Sequence, residues 1–99
     1  MRARLTIAAL LLAPLGACVA PGIALRDISR AQDELAAAKT ADADKWAPYE
    51  YTAAELYLAQ AKDRIGYSGS YYQQAYEYAA KSYNFAHQAK EKALSHPKE

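Results

Sequence analysis

The chain has 99 residues, and its 12 basic and 11 acidic side chains give a formal net charge of +1. A near-neutral balance of interspersed charges excludes the basic surface expected of a protein that binds nucleic acid. Only one cysteine is present, so no disulfide can form within the chain. The length supports one small domain.

The first 17 residues have the layout of a secretory signal. Arg2 and Arg4 precede an apolar run from Leu5 to Leu12, and small residues follow. The apolar run is too short to span a bilayer, while the order of basic, apolar and small-residue regions is typical of a signal peptide. We therefore predict that residues 1–17 are a signal peptide that is removed.

A cysteine directly follows the small residues, in the sequence Leu15-Gly16-Ala17-Cys18. This tetrapeptide resembles the bacterial lipobox, whose cysteine sulfur receives a diacylglyceryl group before the leader is cleaved. The resemblance implies cleavage before Cys18 and a lipid anchor on its sulfur, in place of a free buried thiol. Since two or more acyl chains hold a protein stably on a membrane, we expect the chain to remain membrane-bound.

The residue after the lipidated cysteine bears on which membrane carries the protein. By resemblance to enterobacterial sorting, an aspartate there favours retention in the inner membrane, and Val19 occupies the position instead. We therefore expect the periplasmic face of the outer membrane, with the periplasmic face of the inner membrane as the alternative.

A tether and a first helix are predicted next. Residues 18–24 contain Pro21 and Gly22 and have no periodic pattern, which indicates a short tether between lipid and domain. Over residues 25–43 the apolar side chains are spaced by three and four, which places them on one face of an amphipathic helix. They are Ile28, Ala31, Leu35 and Ala38.

Two longer helices follow. Pro48 fits the first turn of a helix that extends to about Ile65. The glycines and serines of residues 66–70 are typical of a turn, and Ser70 with Gln73 matches a capping box, so the third helix is expected to start at Tyr71 and end before Pro97. Its apolar residues form two neighbouring seams, and this broad face is wide enough to contact two helices or a partner.

These elements predict an all-α fold over residues 25–96. Because a loop of about five residues usually makes its two helices antiparallel, we expect an antiparallel hairpin of two long helices with a preceding helix, arranged like a three-helix bundle. The alternative is that the preceding helix forms a membrane-proximal stalk.

The tyrosines are the most distinctive side chains of the domain. All nine lie between Tyr49 and Tyr83. In one interpretation their rings pack on alanines inside the bundle, with the hydroxyls reaching water. In the other, some are exposed and bind a partner protein or stack on sugar, since tyrosine is favoured at interfaces. The candidates for this role are Tyr67, Tyr71, Tyr72 and Tyr76.

The sequence offers no set of catalytic or metal-binding residues. His87 and His96 lack a cysteine or second histidine one helical turn away, so a surface pair of His87 with Glu91 is favoured over a metal site. No nucleophile lies in a recognisable pattern beside a base. We therefore predict a protein that is not an enzyme and uses no cofactor or metal.

Three short runs carry a family resemblance: Ala47-Pro48-Tyr49-Glu50, the alanine-rich segment 53–62, and Gly66-Tyr67-Ser68. Together they resemble the small bacterial lipoprotein domain catalogued as domain of unknown function 4398. The resemblance covers about residues 28–93 and implies a helical envelope module without assigned catalytic residues.

Anchor and helical faces together predict a structural or interaction module of the cell envelope. We expect it to bind another envelope protein or a second copy of itself, and not nucleic acid. The alternative is a lipoprotein that binds peptidoglycan or another glycan through exposed tyrosines.

The lipid anchor is directly testable at its sulfur. Replacing Cys18 with alanine should abolish labelling by palmitate and release the protein from membrane fractions, because the acyl chains have no other site of attachment. The wild-type chain, labelled in parallel, is the control. A bare sulfur on the native protein in mass spectrometry would contradict the prediction.

Overall fold

The computed structural model describes residues 21–67 and 71–96, and this part of the chain is helical without strands. Its elements in chain order are α1 (Pro21–Thr40), α2 (Ala43–Trp46), α3 (Pro48–Ile65) and α4 (Tyr71–Leu94). The predicted all-α fold, a hairpin of two long helices with a preceding helix, is confirmed. The signal peptide, its cleavage motif and Cys18 lie outside the described residues.

Contacts between the helices define their directions. Ser82 on α4 reaches Ala54 near the start of α3, whereas Arg64 at the end of α3 reaches Gln74 near the start of α4. These two helices are therefore antiparallel. Arg30 and the residue one turn later, Glu34, contact successive turns of α4 in the same order along the chain, so α1 runs parallel to α4.

This up-down-up arrangement gives the bundle two distinct ends. The start of α1, the end of α3 and the start of α4 lie together at what we call the basal end. The short helix α2, the start of α3 and the end of α4 lie at the distal end. The chain therefore enters the bundle at the basal end and leaves α4 at the distal end.

Helix α4 packs against both other long helices, as its two predicted seams require. On one seam Tyr83 lies under the Arg30 guanidinium of α1, 4.6 Å from ring centre to carbon. On the other, Phe85 stacks on Tyr57 of α3, and Ser82 donates a hydrogen bond of 2.7 Å to the Ala54 carbonyl. The broad face of α4 is therefore used within the bundle on both sides.

The boundaries of α3 and of the start of α4 agree with the prediction, but those of α1 differ. This helix begins at Pro21, so the described part of the predicted 18–24 tether is helical. Proline lacks only an N–H that the first turn of a helix leaves unbonded, so it is compatible with this position. Helix α1 ends at Thr40, and the left-handed Asp42 (φ 63°) then turns the chain into the unpredicted α2.

The core consists mainly of alanine. In the described part of the chain, 12 of the 14 buried hydrophobic residues are alanines, and the two larger ones are Ile28 and Leu58. Since a methyl group occupies little space, the helices approach closely and the larger rings lie along the edges of the interfaces. The only buried polar residue among those described is Ser82, whose hydroxyl is satisfied by its bond to α3.

None of the described helices combines the length and the hydropathy that crossing a bilayer requires.

Two alanines of α3 test the close approach of the helices. Ala61 is fully buried in the core cluster with Ile28 and Ala79, whereas Ala59 is exposed on the same helix. Ala61→Leu should lower the free energy of unfolding by roughly 1–3 kcal/mol, because the added volume has no space between the helices. Ala59→Leu should change it by less than about 0.5 kcal/mol.

Urea unfolding followed by circular dichroism measures both variants. Because both substitutions add the same side chain to the same helix, helix propensity is matched between them. Equal stability of the two variants would show that the interface is not closely packed.

Candidate functional site

A depression on the described surface lies between α3 and α4, and all of its lining residues belong to these two helices. We call it the aromatic groove. Its volume is about 920 Å³, which is within the size range of ligand-binding pockets. The residues that define it are Tyr49, Leu56, Tyr57, Tyr78, Lys81 and Phe85.

Four of these residues form a continuous row of rings. Tyr57 is the centre of the row: its ring stacks on Phe85 at 5.7 Å, with planes 9° apart, and lies 6.1 Å from Tyr78. Tyr49 meets Phe85 edge-on at 6.3 Å. Such offset and edge contacts are the favoured geometries of aromatic pairs, so the rings hold one another in place along the groove.

The groove exposes apolar surface to solvent. Tyr49 is 73 % exposed and Leu56 is 64 % exposed. The rings of Tyr57 and Phe85, by contrast, are partly buried. A contiguous apolar patch of this kind is typical of a binding surface.

A single positive charge stands at the groove. The Lys81 ammonium lies 5.5 Å from the centre of the Tyr57 ring, a cation–π distance. Within the described part of the chain, no carboxylate forms an ion pair with it. The groove therefore combines an aromatic floor with one cation that is available to an acidic group.

The four tyrosines predicted to bind a partner do not form one surface. Tyr67 and Tyr71 lie at the basal end with their rings 4.9 Å apart, and both are exposed. Tyr72 and Tyr76 are half-buried. Tyr76 lies on the other seam of α4 and lines a small depression with Arg30 of α1.

A polar cluster joins α1 to α4 on the side opposite the groove. The Glu34 carboxylate lies 2.7 Å from Nδ1 of His87 and 2.8 Å from Nζ of Lys90. Since a carboxylate only accepts hydrogen bonds, both nitrogens donate to it. The predicted pair of His87 with Glu91 is present at 3.6 Å, so His87 lies between two carboxylates.

Hydrogen bonds within this cluster favour the charged forms of Glu34 and Lys90. Burial by itself raises the pKa of the Glu34 carboxyl, but the hydrogen bonds from Lys90 and His87 outweigh it and leave that pKa below its ordinary value. The hydrogen bond to Glu34 correspondingly raises the pKa of the Lys90 ammonium. Glu34 and Lys90 therefore form an ion pair that links the two parallel helices at neutral pH.

No group of three or more potential metal ligands occurs in residues 21–67 and 71–96. His87 contacts the carboxylates of Glu34 and Glu91, and Glu34 is also paired with the Lys90 ammonium. These contacts give His87 a structural role in the packing of α1 against α4.

Comparison of the chain with protein-family models, with curated proteins and with solved structures gives no match. The likeness to domain of unknown function 4398 therefore stays a prediction from the quoted motifs.

The aromatic groove was not predicted from the sequence, because no outer face was assigned to α3. The buried seam of this helix contains Ala54, Leu58 and Ala61. A second seam of α3, with Tyr49, Leu56 and Tyr57, lies beside it. Pairing this outer seam with the α4 seam that contains Tyr78 and Phe85 would have located the groove.

The Glu34 cluster gives a pH-dependent contribution to stability. Because the pKa of Glu34 is lower in the folded chain than its ordinary value of 4.5, the contribution is present above that pH and is lost as the pH falls through the folded-state pKa. Glu34→Gln should therefore destabilise the fold near neutral pH by roughly 1 kcal/mol. The difference from the wild type should shrink below about pH 4.

Thermal unfolding across this pH range measures the effect. Glu91→Gln is the matched control, because Glu91 also contacts His87 but is 60 % exposed, and it should change stability little. A loss in Glu34→Gln that is the same at every pH would contradict the ion-pair explanation.

Proposed function

We propose that the chain is a non-catalytic, lipid-anchored interaction module of the bacterial envelope, whose aromatic groove binds a segment of another envelope protein. The observation that carries the proposal is the exposed row of rings between α3 and α4. The anchor, the periplasmic address and the family resemblance rest on the sequence motifs around Cys18 and Pro48, and they supply the setting in which the groove acts.

The composition of the groove supports binding in preference to catalysis. Its lining contains no histidine, cysteine, aspartate or glutamate. The imidazole, carboxylate and thiol groups that most often carry general acid–base and nucleophilic catalysis are therefore missing from it. The titratable groups that do line it are the Lys81 ammonium and tyrosine hydroxyls, and the ammonium lies over the Tyr57 ring.

The shape and charge of the groove favour one kind of occupant, an amphipathic segment with apolar side chains and one carboxylate. A groove between two helices accepts a third helix that buries its apolar face. Leu56 and Tyr49 would become covered by such a segment, and a carboxylate on it would pair with Lys81. Tyrosine contributes a large contact area with little loss of conformational freedom.

Glycan binding is the competing function. The paired rings of Tyr67 and Tyr71 are exposed and offer flat surfaces to a sugar. Their distance from the groove along α3 makes the two functions separable: substitutions in the groove should affect protein binding, whereas substitutions of the ring pair should affect binding to cell wall.

Site-specific photocross-linking in cells tests the groove. A photoreactive amino acid at Leu56 should form a cross-link to one envelope protein, whereas the same group at Leu94 should not. The two side chains are 64 % and 61 % exposed, but only Leu56 lines the groove. The cross-linked peptide, identified by mass spectrometry, should have an apolar face and a carboxylate.

A binding measurement with the corresponding synthetic peptide completes the test. Lys81→Glu and Leu56→Ala should each weaken binding by about tenfold or more, as expected for loss of a central contact of about 1.4 kcal/mol. Leu94→Ala should leave the affinity unchanged, and a lysine in place of the peptide carboxylate should restore binding to Lys81→Glu.

Three results would contradict the proposal. One is a cross-link from Leu56 to a second copy of the chain. Another is equal cross-linking from Leu56 and Leu94. The third is that the chain sediments with purified sacculi, and that the double substitution Tyr67→Ala and Tyr71→Ala abolishes this sedimentation whereas the groove substitutions do not. That result would support glycan binding instead.

A further inference from the structure

The exposed apolar side chains of the bundle are concentrated at its basal end. Seven large hydrophobic side chains of the described residues are exposed, and four of them lie there. Two belong to the first turns of α1 and two flank the α3–α4 turn. We call these four residues the basal cap: Ile23, Leu25, Tyr67 and Tyr71, which are 40 %, 55 %, 51 % and 41 % exposed.

The packing of the bundle leaves about half of each basal-cap side chain exposed. In the first turns of α1, the contact with the bundle is made by Ala24, which is fully buried. Ile23 and Leu25 flank this contact on either side, and helical side chains tilt toward the helix N-terminus, which here is the basal end. Isolated exposed apolar residues are common on protein surfaces, but several at one end of a domain are typical of a surface that a membrane or another molecule covers.

The sequence places the proposed anchor next to this surface. Cys18 precedes Pro21, the first residue of α1, by three positions. Since an extended chain spans at most about 3.6 Å per residue, three residues reach no further than roughly 11 Å, so a lipid attached at this position would be close to the start of α1. A lipid on that sulfur would hold the basal end against the bilayer.

The direction of the helices brings the remaining cap residues to the same place. Because α3 ends and α4 begins at the basal end, Tyr67 and Tyr71 lie at the same end of the bundle as the first turns of α1. Tyrosine is enriched at the membrane–water interface, where its ring contacts the upper acyl chains and its hydroxyl reaches the headgroups. Isoleucine and leucine gain free energy by leaving water for the same layer.

We propose that the basal cap inserts into the interface of the bilayer that carries the anchor, so that the bundle stands on the membrane with α4 directed away from it. The inference rests on the lipid anchor of the proposed function, and it adds a second protein–lipid contact and an orientation. With 24 residues at about 1.5 Å each, α4 would place the distal end roughly 36 Å above the basal cap.

Fluorescence quenching by lipids tests the orientation, because the chain has a single tryptophan. That residue, Trp46, belongs to α2 at the distal end and is a built-in control. The protein is purified from bacterial membranes and reconstituted into vesicles of phosphatidylethanolamine and phosphatidylglycerol. A fraction of these lipids is brominated near the top of the acyl chain.

Two variants move the fluorophore into the basal cap, Tyr67→Trp and Leu25→Trp, each combined with Trp46→Phe. Both should be quenched several times more strongly than native Trp46, and their emission should shift to the blue on reconstitution. Circular dichroism of each variant confirms that the bundle is folded, and agreement between the two positions guards against a local effect of either substitution.

The results distinguish membrane insertion of the basal cap from lipid anchoring at Cys18. Mass spectrometry of the purified protein establishes whether Cys18 carries lipid. A lipidated protein in which all three fluorophores are equally quenched, or equally unquenched, would overturn the inference while leaving the anchor intact. A protein without lipid that does not associate with the vesicles would overturn the anchor and, with it, the upright orientation.

Discussion

The close packing of alanine is the constraint on which the rest of this bundle depends. Methyl groups at positions such as Ala31, Ala61 and Ala79 let three helices approach along most of their length, and space between them is too small for a ring. Large side chains are therefore displaced to the flanks of each interface. The aromatic row of the groove and the cap at the basal end are both products of this displacement.

The two flanks of α4, one toward α1 and the other toward α3, differ in chemistry. Toward α1, the flank is polar and ends in the ion pair of Glu34 with Lys90 and the hydrogen bond between Glu34 and His87, which link two parallel helices. Toward α3, the flank is aromatic, and one of its exposed neighbours, Leu56, is not covered by any described element. Both sides of α4 therefore pack within the bundle, and the side toward α3 also borders the exposed aromatic groove.

The sequence predicted the helices better than it predicted their surfaces. Pro48 marks the start of α3 through local backbone chemistry, which requires no knowledge of the neighbouring helices, and the predicted start of α4 at Tyr71 is the observed one. The start of α1 was placed too late because Pro21 and Gly22 were interpreted as helix breakers. The groove depends on which seam of α3 meets which seam of α4, and that pairing is a property of two helices together that no single periodicity contains.

The parallel arrangement of α1 and α4 has a mechanical consequence. If the bilayer pulls on the start of α1 while a bound protein holds α3 and α4, the force acts along the shared axis of the helices. To separate from α4, α1 must then slide along it. The Glu34 contacts and the packed alanines therefore resist the force together and do not open one after another. A bundle joined in this way would resist tension between the membrane and its partner better than one whose first helix could be peeled away from its end.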